Sequence, residues 1–262
     1  MAPLRICSVI LFYNKPKLTK KCLDSVFVAI SNAKQISDIR HRIILVDNGS
    51  QGSALKEVQE YILNRSPGVI VDFVSLSPNQ GFSKGMNAGL NRAFHDQQEV
   101  DFVCAFSNDV EVPLDFFENL ASIPLSSGAF ILCPQVYYLM DRTRLAYTYG
   151  SLDLATMTLM HHQSTDLNEV VFPQYYPAAA TIWTPSAYQR LGGFDERFFC
   201  YWEDVSLSLW AKLKEVRLRL LPQLQIHHFG RGTTGGKSVY NQHFMKGREL
   251  LTRDLQERGF VP

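Results

Sequence analysis

Short apolar runs alternate with amphipathic stretches through the first 106 residues. Arg5 to Phe12 is apolar and β-branched without polar alternation, the pattern of a strand buried on both faces. Leu18, Cys22, Leu23, Val26 and Ile30 then recur on one stripe, which predicts a helix over Lys17 to Ser31. Arg42 to Val46 predicts a second strand, ending at Asp47-Asn48-Gly49-Ser50. Leu55, Val58 and Ile62 mark the inner face of a helix over Ser53 to Asn64. Val69 to Leu76 and Asp101 to Phe106 predict strands on either side of a helix over Gly81 to Phe94. This β-α-β-α-β-α-β order predicts a parallel sheet with helices on both faces. Ligands of such sheets gather at the carboxyl ends of the strands. Asn14, Asp47 to Ser50 and Ser107 to Asp109 are therefore expected to converge on one crevice.

The second half is less regular. Strands are expected over Ala129 to Tyr138, Ala178 to Thr184 and Val216 to Leu221, with Pro185 closing the second. Arg144 to His161 has turn and hairpin character, with a bend at Gly150-Ser151, and His161-His162 reads as hairpin surface. Trp202 to Lys214 is helical, and Asn241 to Arg258 is an amphipathic helix carrying Phe244, Leu250, Leu251 and Leu255. Its basic Lys246, Arg248, Arg253 and Arg258 leave two fates for that stripe, packing on the domain or attachment to a membrane surface.

Composition narrows the class. With 262 residues, 46% hydrophobic and 19% charged, the chain can bury a sizeable core. A net charge of +1 lacks the basic surplus of a nucleic-acid binder, so any hold on an anion is local. The five cysteines have no C-x-x-C pair, which points to buried thiols in a reducing compartment. The apolar run Ile6 to Tyr13 is too short to span a bilayer. A cytoplasmic protein is expected, with at most peripheral contact at the inner face of the membrane.

Five segments carry candidate chemistry. Asp109 follows the fourth strand, where a carboxylate could hold a divalent cation against a pyrophosphate. Taken alone, Asn108-Asp109 is better explained by a turn, because Asn and Asp are common turn residues. Asp47 could contact a base or ribose, or simply close an Asx turn. Asn79 through Gly81, Phe82, Lys84 and Asn87 is a glycine turn into a helix, suited to anions yet also a plain helix start. Glu203-Asp204 opens a helix behind Phe198, Phe199, Tyr201 and Trp202. One carboxylate could act as general base and the rings could wall a sugar cleft; favourable helix-terminus charge and core packing are the bland alternatives. His227-His228 precedes a Gly/Arg/Thr loop in which Arg231 and Lys237 could hold phosphate, and either histidine could complete a metal site.

In order along the chain, these segments resemble the family 2 glycosyltransferases of the GT-A fold, especially a bacterial rhamnosyltransferase-like branch. The likeness rests on Ser8 to Asn14, Ile44 to Ser50, Asn79-Gln80-Gly81-Phe82 through Asn87-Ala88-Gly89, and Gly192-Gly193-Phe194-Asp195-Glu196 through Glu203-Asp204. It implies a Rossmann-like, mostly parallel central sheet flanked by helices, with a smaller antiparallel acceptor-side region. Residues 1–110 would form the nucleotide-binding half, 111–236 the acceptor and catalytic half, and 237–262 a loop and helix. It further implies an inverting single displacement with Asp204 as general base. Asp109 and His228 would hold Mg²⁺ or Mn²⁺, the histidine being chosen by its spacing to Gly230 and Thr233. Tyr13, Asn14, Asp47, Gly81, Phe82, Lys84, Asn87, Asn108 and Arg231 would face the donor, and Trp202, Glu203 and Asp195 the acceptor. The implied donor is dTDP-rhamnose or a UDP-sugar. The implied acceptor is a saccharide, lipid-linked or free, in surface-glycan synthesis. Two departures stand out. Ser107 replaces the first acid of the usual Asp-x-Asp, and Ser206 stands where an Asp is common. A nucleotidyltransferase and a non-catalytic saccharide-binding domain are the rival readings.

Overall fold

The computed structural model describes residues 3–65, 68–96, 99–124, 128–230 and 236–261, with side chains omitted for 236–239. The amino half alternates β1 (Leu4–Phe12), α1 (Pro16–Ile36), β2 (Ile39–Asp47), α2 (Ala54–Arg65), β3 (Ile70–Ser75), α3 (Gly81–His95) and β4 (Phe102–Ser107). β1 pairs in parallel with β2 on one side and β4 on the other, and β3 adds to β2 at the edge. Inner β1 is almost wholly buried, whereas edge strand β3 is half exposed. That difference is why β1 reads as a continuous apolar run. α1 buries Thr19, Cys22, Leu23, Val26, Phe27 and Ile30, the predicted stripe with its edge moved from Leu18 to Thr19.

The carboxyl half completes the same sheet. After β5 (Val110–Glu111) and α4 (Phe116–Ala121) come β6 (Phe130–Tyr138), β7 (Asp141–Tyr147), β8 (Tyr149–Asp153), β9 (Thr158–His162), β10 (Glu169–Val170), β11 (Gln174–Tyr175) and β12 (Ala180–Trp183). α5 (Pro185–Leu191), α6 (Glu203–Leu213), β13 (Arg217–His228) and α7 (Gly236–Glu257) follow. The main sheet runs β10-β13-β6-β12-β4-β1-β2-β3, with β12 antiparallel to both neighbours. A small antiparallel sheet, β11-β8-β9, stands beside it.

Three local expectations change. Gly150-Ser151 lies inside β8 rather than at a bend, and the chain turns instead at 154–157. β13 does not stop at Leu221. It absorbs Pro222 in a register shift between Leu221 and Gln225 and continues to His228. Thr184-Pro185, expected to close a strand, also opens α5: the Thr184 side chain accepts from Ala187 N–H, and Pro185 occupies the first turn.

The apolar stripe of α7 packs inward. Phe244, Leu250, Leu251 and Leu255 join Trp202, Val205 and Leu209 in a second core beneath α6. Among the described residues, no helix is long and apolar enough to cross a membrane. The five cysteines are free thiols, four of them buried.

Candidate active site

Three strand ends meet at the carboxyl edge of the sheet. Phe12 pairs with Asp47, and Leu11 with Ser107, so β1, β2 and β4 finish at one level. Beyond them the chain is tied down. Asp47 is buried, and its Oδ1 accepts from Ser50 N–H at 2.9 Å, the Asx turn the sequence allowed. Among the described residues no hydrogen bond occupies its Oδ2. Asn14 braces the same turn, its N–H donating to Ser50 Oγ and its Oδ1 accepting from Gln51 N–H, both at 2.8 Å.

The start of α3 is docked on this turn by Asn48, whose Oδ1 accepts from Gln80 N–H at 3.0 Å and whose Nδ2 donates to Gly81 O at 2.9 Å. Gly81 sits at φ 84°, a left-handed conformation that costs other residues about 1–2 kcal/mol. A Cβ there would also lie 2.8 Å from the Phe199 ring and closer still to the Phe199 carbonyl, which accepts Phe82 N–H at 2.5 Å. Asn87 makes a second latch to the same segment. Its Oδ1 accepts Phe194 N–H at 2.8 Å, while its Nδ2 donates to Phe194 O at 2.8 Å and Glu196 Oε1 at 3.1 Å. Its amide is thus spent on structure, binding the two halves together. Phe82 meets the Phe194 ring edge-on at 5.4 Å, and Lys84 projects into solvent.

Asp109 is also buried. Ser107 Oγ donates to its Oδ1 at 2.7 Å, and His228 Nε2 lies 3.4 Å from the same oxygen. β13 delivers that histidine by pairing with β5, which sets His228 opposite Val110 and His227 opposite Glu111. Neighbouring strand residues face opposite sides. His227 accordingly turns away, 6.3 Å from the Tyr137 ring, with Nδ1 sealed and unpartnered among the described residues. Burial pushes the Asp109 carboxyl up, but the His228 and Ser107 contacts outweigh it and hold it below the ordinary value. Asn108 points the other way, its Nδ2 donating to Thr19 Oγ1 of α1 at 3.0 Å.

Asp109 and His228 fit a hard divalent cation. Neighbouring ligands of an octahedral ion at bond lengths of ~2.1 Å lie ~3.0 Å apart, close to the 3.4 Å seen between Oδ1 and Nε2. Among the described residues, no cluster of three or more His, Cys, Asp or Glu could hold a metal. The two-residue set would leave phosphate and water to fill the other positions, as such ions accept.

Asp204 and Glu203 open α6 behind Tyr201 and Trp202, both at φ 71°. Two consecutive left-handed residues cost roughly 2–4 kcal/mol. Trp202 is 1% exposed, and burying an indole of this size contributes about 4–6 kcal/mol, enough to hold the kink. α7 crosses directly over it: a Cβ on Gly247 would lie 2.8 Å from Tyr201 O and 2.9 Å from Trp202 Cδ1. Asp204 Oδ1 accepts Val205 N–H at 2.8 Å, while Glu203 Oε2 is sealed without a partner among the described residues. Burial raises both carboxyls, and the charge of Asp204 raises Glu203 further. Asp195 is engaged elsewhere. Arg197 bridges it to buried Asp254 of α7, with Nη2 2.5 Å from each carboxylate. Arg231 lies outside the described residues.

A cavity of about 350 Å³ opens at this edge, lined in part by Tyr13, Gly81, Phe82, Ser107 and Asn108. Its far wall comprises Phe199, Cys200 and Tyr201 with Tyr240 and His243 of α7, and His243 stacks on Phe199 at 4.4 Å. Asn48 lies in a segment expected at the crevice, but the α7 wall of Tyr240 and His243 was not expected there. The i, i+3 spacing of Tyr240 and His243 was the available signal for the wall. A larger cavity of about 850 Å³ lies at the opposite, amino ends of β1 and β2. There Arg5 is paired with Asp101 and Glu99, and Arg42 with Asp96, while Lys34 and Arg40 also line the cavity.

The model of the glycosyl transferase family 2 matches residues 7–173, ending before Asp204 and His228. The amylovoran biosynthesis glycosyltransferase AmsE of Erwinia amylovora is 31% identical over 128 residues, covering 47% of this chain and 44% of that protein. The match thus spans less than half of that relative's length. The mannosyltransferase PcManGT of Pyrobaculum calidifontis, solved with GDP-Man and Mn²⁺, superposes with a TM-score of 0.63 at 13% identity, covering 97% of this chain and 65% of that one. GalNAc-T7, solved with UDP, GalNAc and Mn²⁺, gives 0.65 at 14% identity, covering 86% and 44%. At such identities the likeness is one of fold, and that fold is GT-A.

Proposed function

Since the chain belongs to glycosyl transferase family 2, we propose that it transfers a sugar from a nucleotide-diphosphate donor to a saccharide hydroxyl with inversion at the anomeric carbon. The observation that carries this reading is the Asp109–His228 pair, 3.4 Å apart, with Asp204 in the first turn of α6. Residues 1–110 hold the nucleotide, with Asp47 Oδ2 available to the base or ribose and Tyr13, Gly81 and Phe82 around the donor. Asp109 and His228 hold Mg²⁺ or Mn²⁺. When bound, that ion neutralises the diphosphate charge that grows as the glycosidic bond breaks.

Asp204 takes the proton of the acceptor hydroxyl as its oxygen attacks the anomeric carbon in line. Its burial suits the task, because a raised carboxyl is a stronger base than an ordinary one. Glu203, raised further, keeps its proton longer and leaves Asp204 as the ionised member. The acceptor side falls within residues 111–236; Trp202, expected there, is 1% exposed and packs in the second core, whereas Phe199 and Tyr201 line the cavity. Arg231 neutralises the leaving diphosphate. The donor we favour is dTDP-rhamnose, with UDP-sugars next, and the acceptor is a growing surface glycan, lipid-linked in the bacterial cell. A cytoplasmic site at the inner face of the membrane belongs to this reading.

Calorimetry with UDP and dTDP, with and without Mn²⁺, tests it. Tight binding that needs Mn²⁺ and is lost in Asp109→Asn is expected. Metal-independent binding, or none, would favour a saccharide-binding domain that lacks transfer chemistry.

A further inference from the structure

The β6–β7 hairpin rises beside the Asp109–His228 pair. At His227 and His228, β13 has β5 on one side and β6 on the other. Tyr138 of β6 is the register partner of His228, and Tyr137 that of His227. Register partners on neighbouring strands lie about 4.8 Å apart and face the same side. The contacts agree: Tyr137 lies near the His227 ring, while His228 reaches Asp109. Tyr138 therefore shares the face of His228, across β13 from the Asp109–Val110 segment. Leu139 N–H donates to His228 O at 3.0 Å and ties the hairpin to that place.

β7 then leaves the regular ladder. Asp141 pairs with Tyr138 and Leu145 with Tyr137, so Arg142, Thr143 and Arg144 are extra residues without a place on β6. Bulges re-aim side chains and gather beside active sites. This one sends two arginines opposite ways. Arg142 pairs with Glu111, the register partner of His227, and its charge is neutralised on that face. Arg144 lays its guanidinium over the Tyr138 ring, 5.0 Å from the centroid, on the His228 face. Arg144 is exposed, and Tyr138 is 41% exposed. Among the described residues no carboxylate pairs with Arg144; nearby Asp141 accepts from Thr143 Oγ1 at 2.9 Å.

An unpaired guanidinium held on an aromatic ring presents a fork of N–H donors suited to an oxyanion. The donor's diphosphate belongs on the other side of His228, at Asp109, next to Ser107 and Asn108 of the donor cavity. An oxyanion met across β13 is then carried by the acceptor.

We propose that Arg144 binds an oxyanion on the acceptor saccharide, a sugar carboxylate or a sugar phosphate, and so selects an acidic acceptor. Tyr138 is a positioning residue that acts through Arg144. This rests on the glycosyltransferase reading above.

The test uses the full chain with UDP and Mn²⁺. Saturation-transfer NMR titrations compare methyl glucuronide and glucose 1-phosphate with neutral methyl glucoside. The wild type should bind at least one anionic probe about 10-fold tighter than the glucoside. Which anion binds tighter separates a uronic acceptor from a phosphate-bearing one. Arg144→Gln should erase the preference and keep UDP affinity within about twofold. Arg142→Gln, which removes a charge already paired with Glu111, should keep the preference. Tyr138→Leu should weaken it about 2- to 5-fold, and Tyr138→Phe, which retains the ring, should restore it. No preference for either anion in the wild type, or a preference that survives Arg144→Gln, would overturn the proposal while UDP binding leaves the donor reading in place. A loss of UDP affinity in Arg144→Gln would also overturn it, because the guanidinium would then serve the donor. Failure of UDP to bind the wild type would remove the glycosyltransferase reading, and the acceptor assignment with it.

Discussion

Gly81 allows the construction of the donor cavity to be tested quantitatively. Gly81→Ala meets two penalties. Its φ of 84° lies in the left-handed region, where a Cβ costs about 1–2 kcal/mol. The new Cβ would also collide with the Phe199 carbonyl. Moving that carbonyl breaks the hydrogen bond from Phe82 N–H, worth about 0.5–1.5 kcal/mol net. Together these come to about 1.5–3.5 kcal/mol. Gly52 supplies the control. It has a φ of 63°, and a Cβ added there would meet nothing within 4 Å, so Gly52→Ala should lose only the conformational part, about 1–2 kcal/mol. Urea denaturation of both variants measures the difference, with an unchanged denaturant slope as the condition for comparing midpoints. Because Phe199 and Gly81 both line the cavity, Gly81→Ala should also weaken UDP binding, and Gly52→Ala should not. Equal stability losses in the two variants, with UDP affinity intact in both, would refute the reasoning.

Glu203→Gln addresses the buried carboxyls. Glu203 is raised in the folded protein, so its contribution to stability is full below its unfolded value and is lost as the pH rises through the folded one. The variant should therefore lose less stability than the wild type between about pH 5 and 9, seen as diverging melting temperatures; parallel curves would contradict the burial argument. Gly247→Val should force α7 off Tyr201 and Trp202, at a cost of about 1–3 kcal/mol. It should also loosen nucleotide binding, because Tyr240 and His243 ride on that helix. Denaturant midpoints and UDP titration check both effects.

Much of the amino half is legible because its physics is local. A strand buried on both faces must be apolar throughout, and a helix on the sheet must repeat its stripe, so β1 to β4 and α1 to α3 follow from periodicity. The carboxyl half depends on contacts remote in sequence. Pro222 breaks the apolar run of β13, yet pairing with β6 resumes beyond the bulge and carries His228 to Asp109. Gly150 reads as a bend until the Tyr175 ring, 25 residues onward, is seen to need its space. Asn87 and Asp195 look like ligand contacts from their motifs. The partners of Asn87, Phe194 and Glu196, appear only when the two halves close together, and Asp195 is taken by Arg197 two residues on, which also bridges to Asp254 of α7.

The central claim is that Asp204 is the base of a sugar transfer. Its most direct test is release of nucleoside diphosphate across a panel of nucleotide-sugars, with Mn²⁺ and a glycan acceptor, for wild type and Asp204→Asn. Acceptor-dependent release by the wild type and essentially none by Asp204→Asn, with UDP affinity unchanged, is the predicted result. Full transfer by Asp204→Asn would contradict the account.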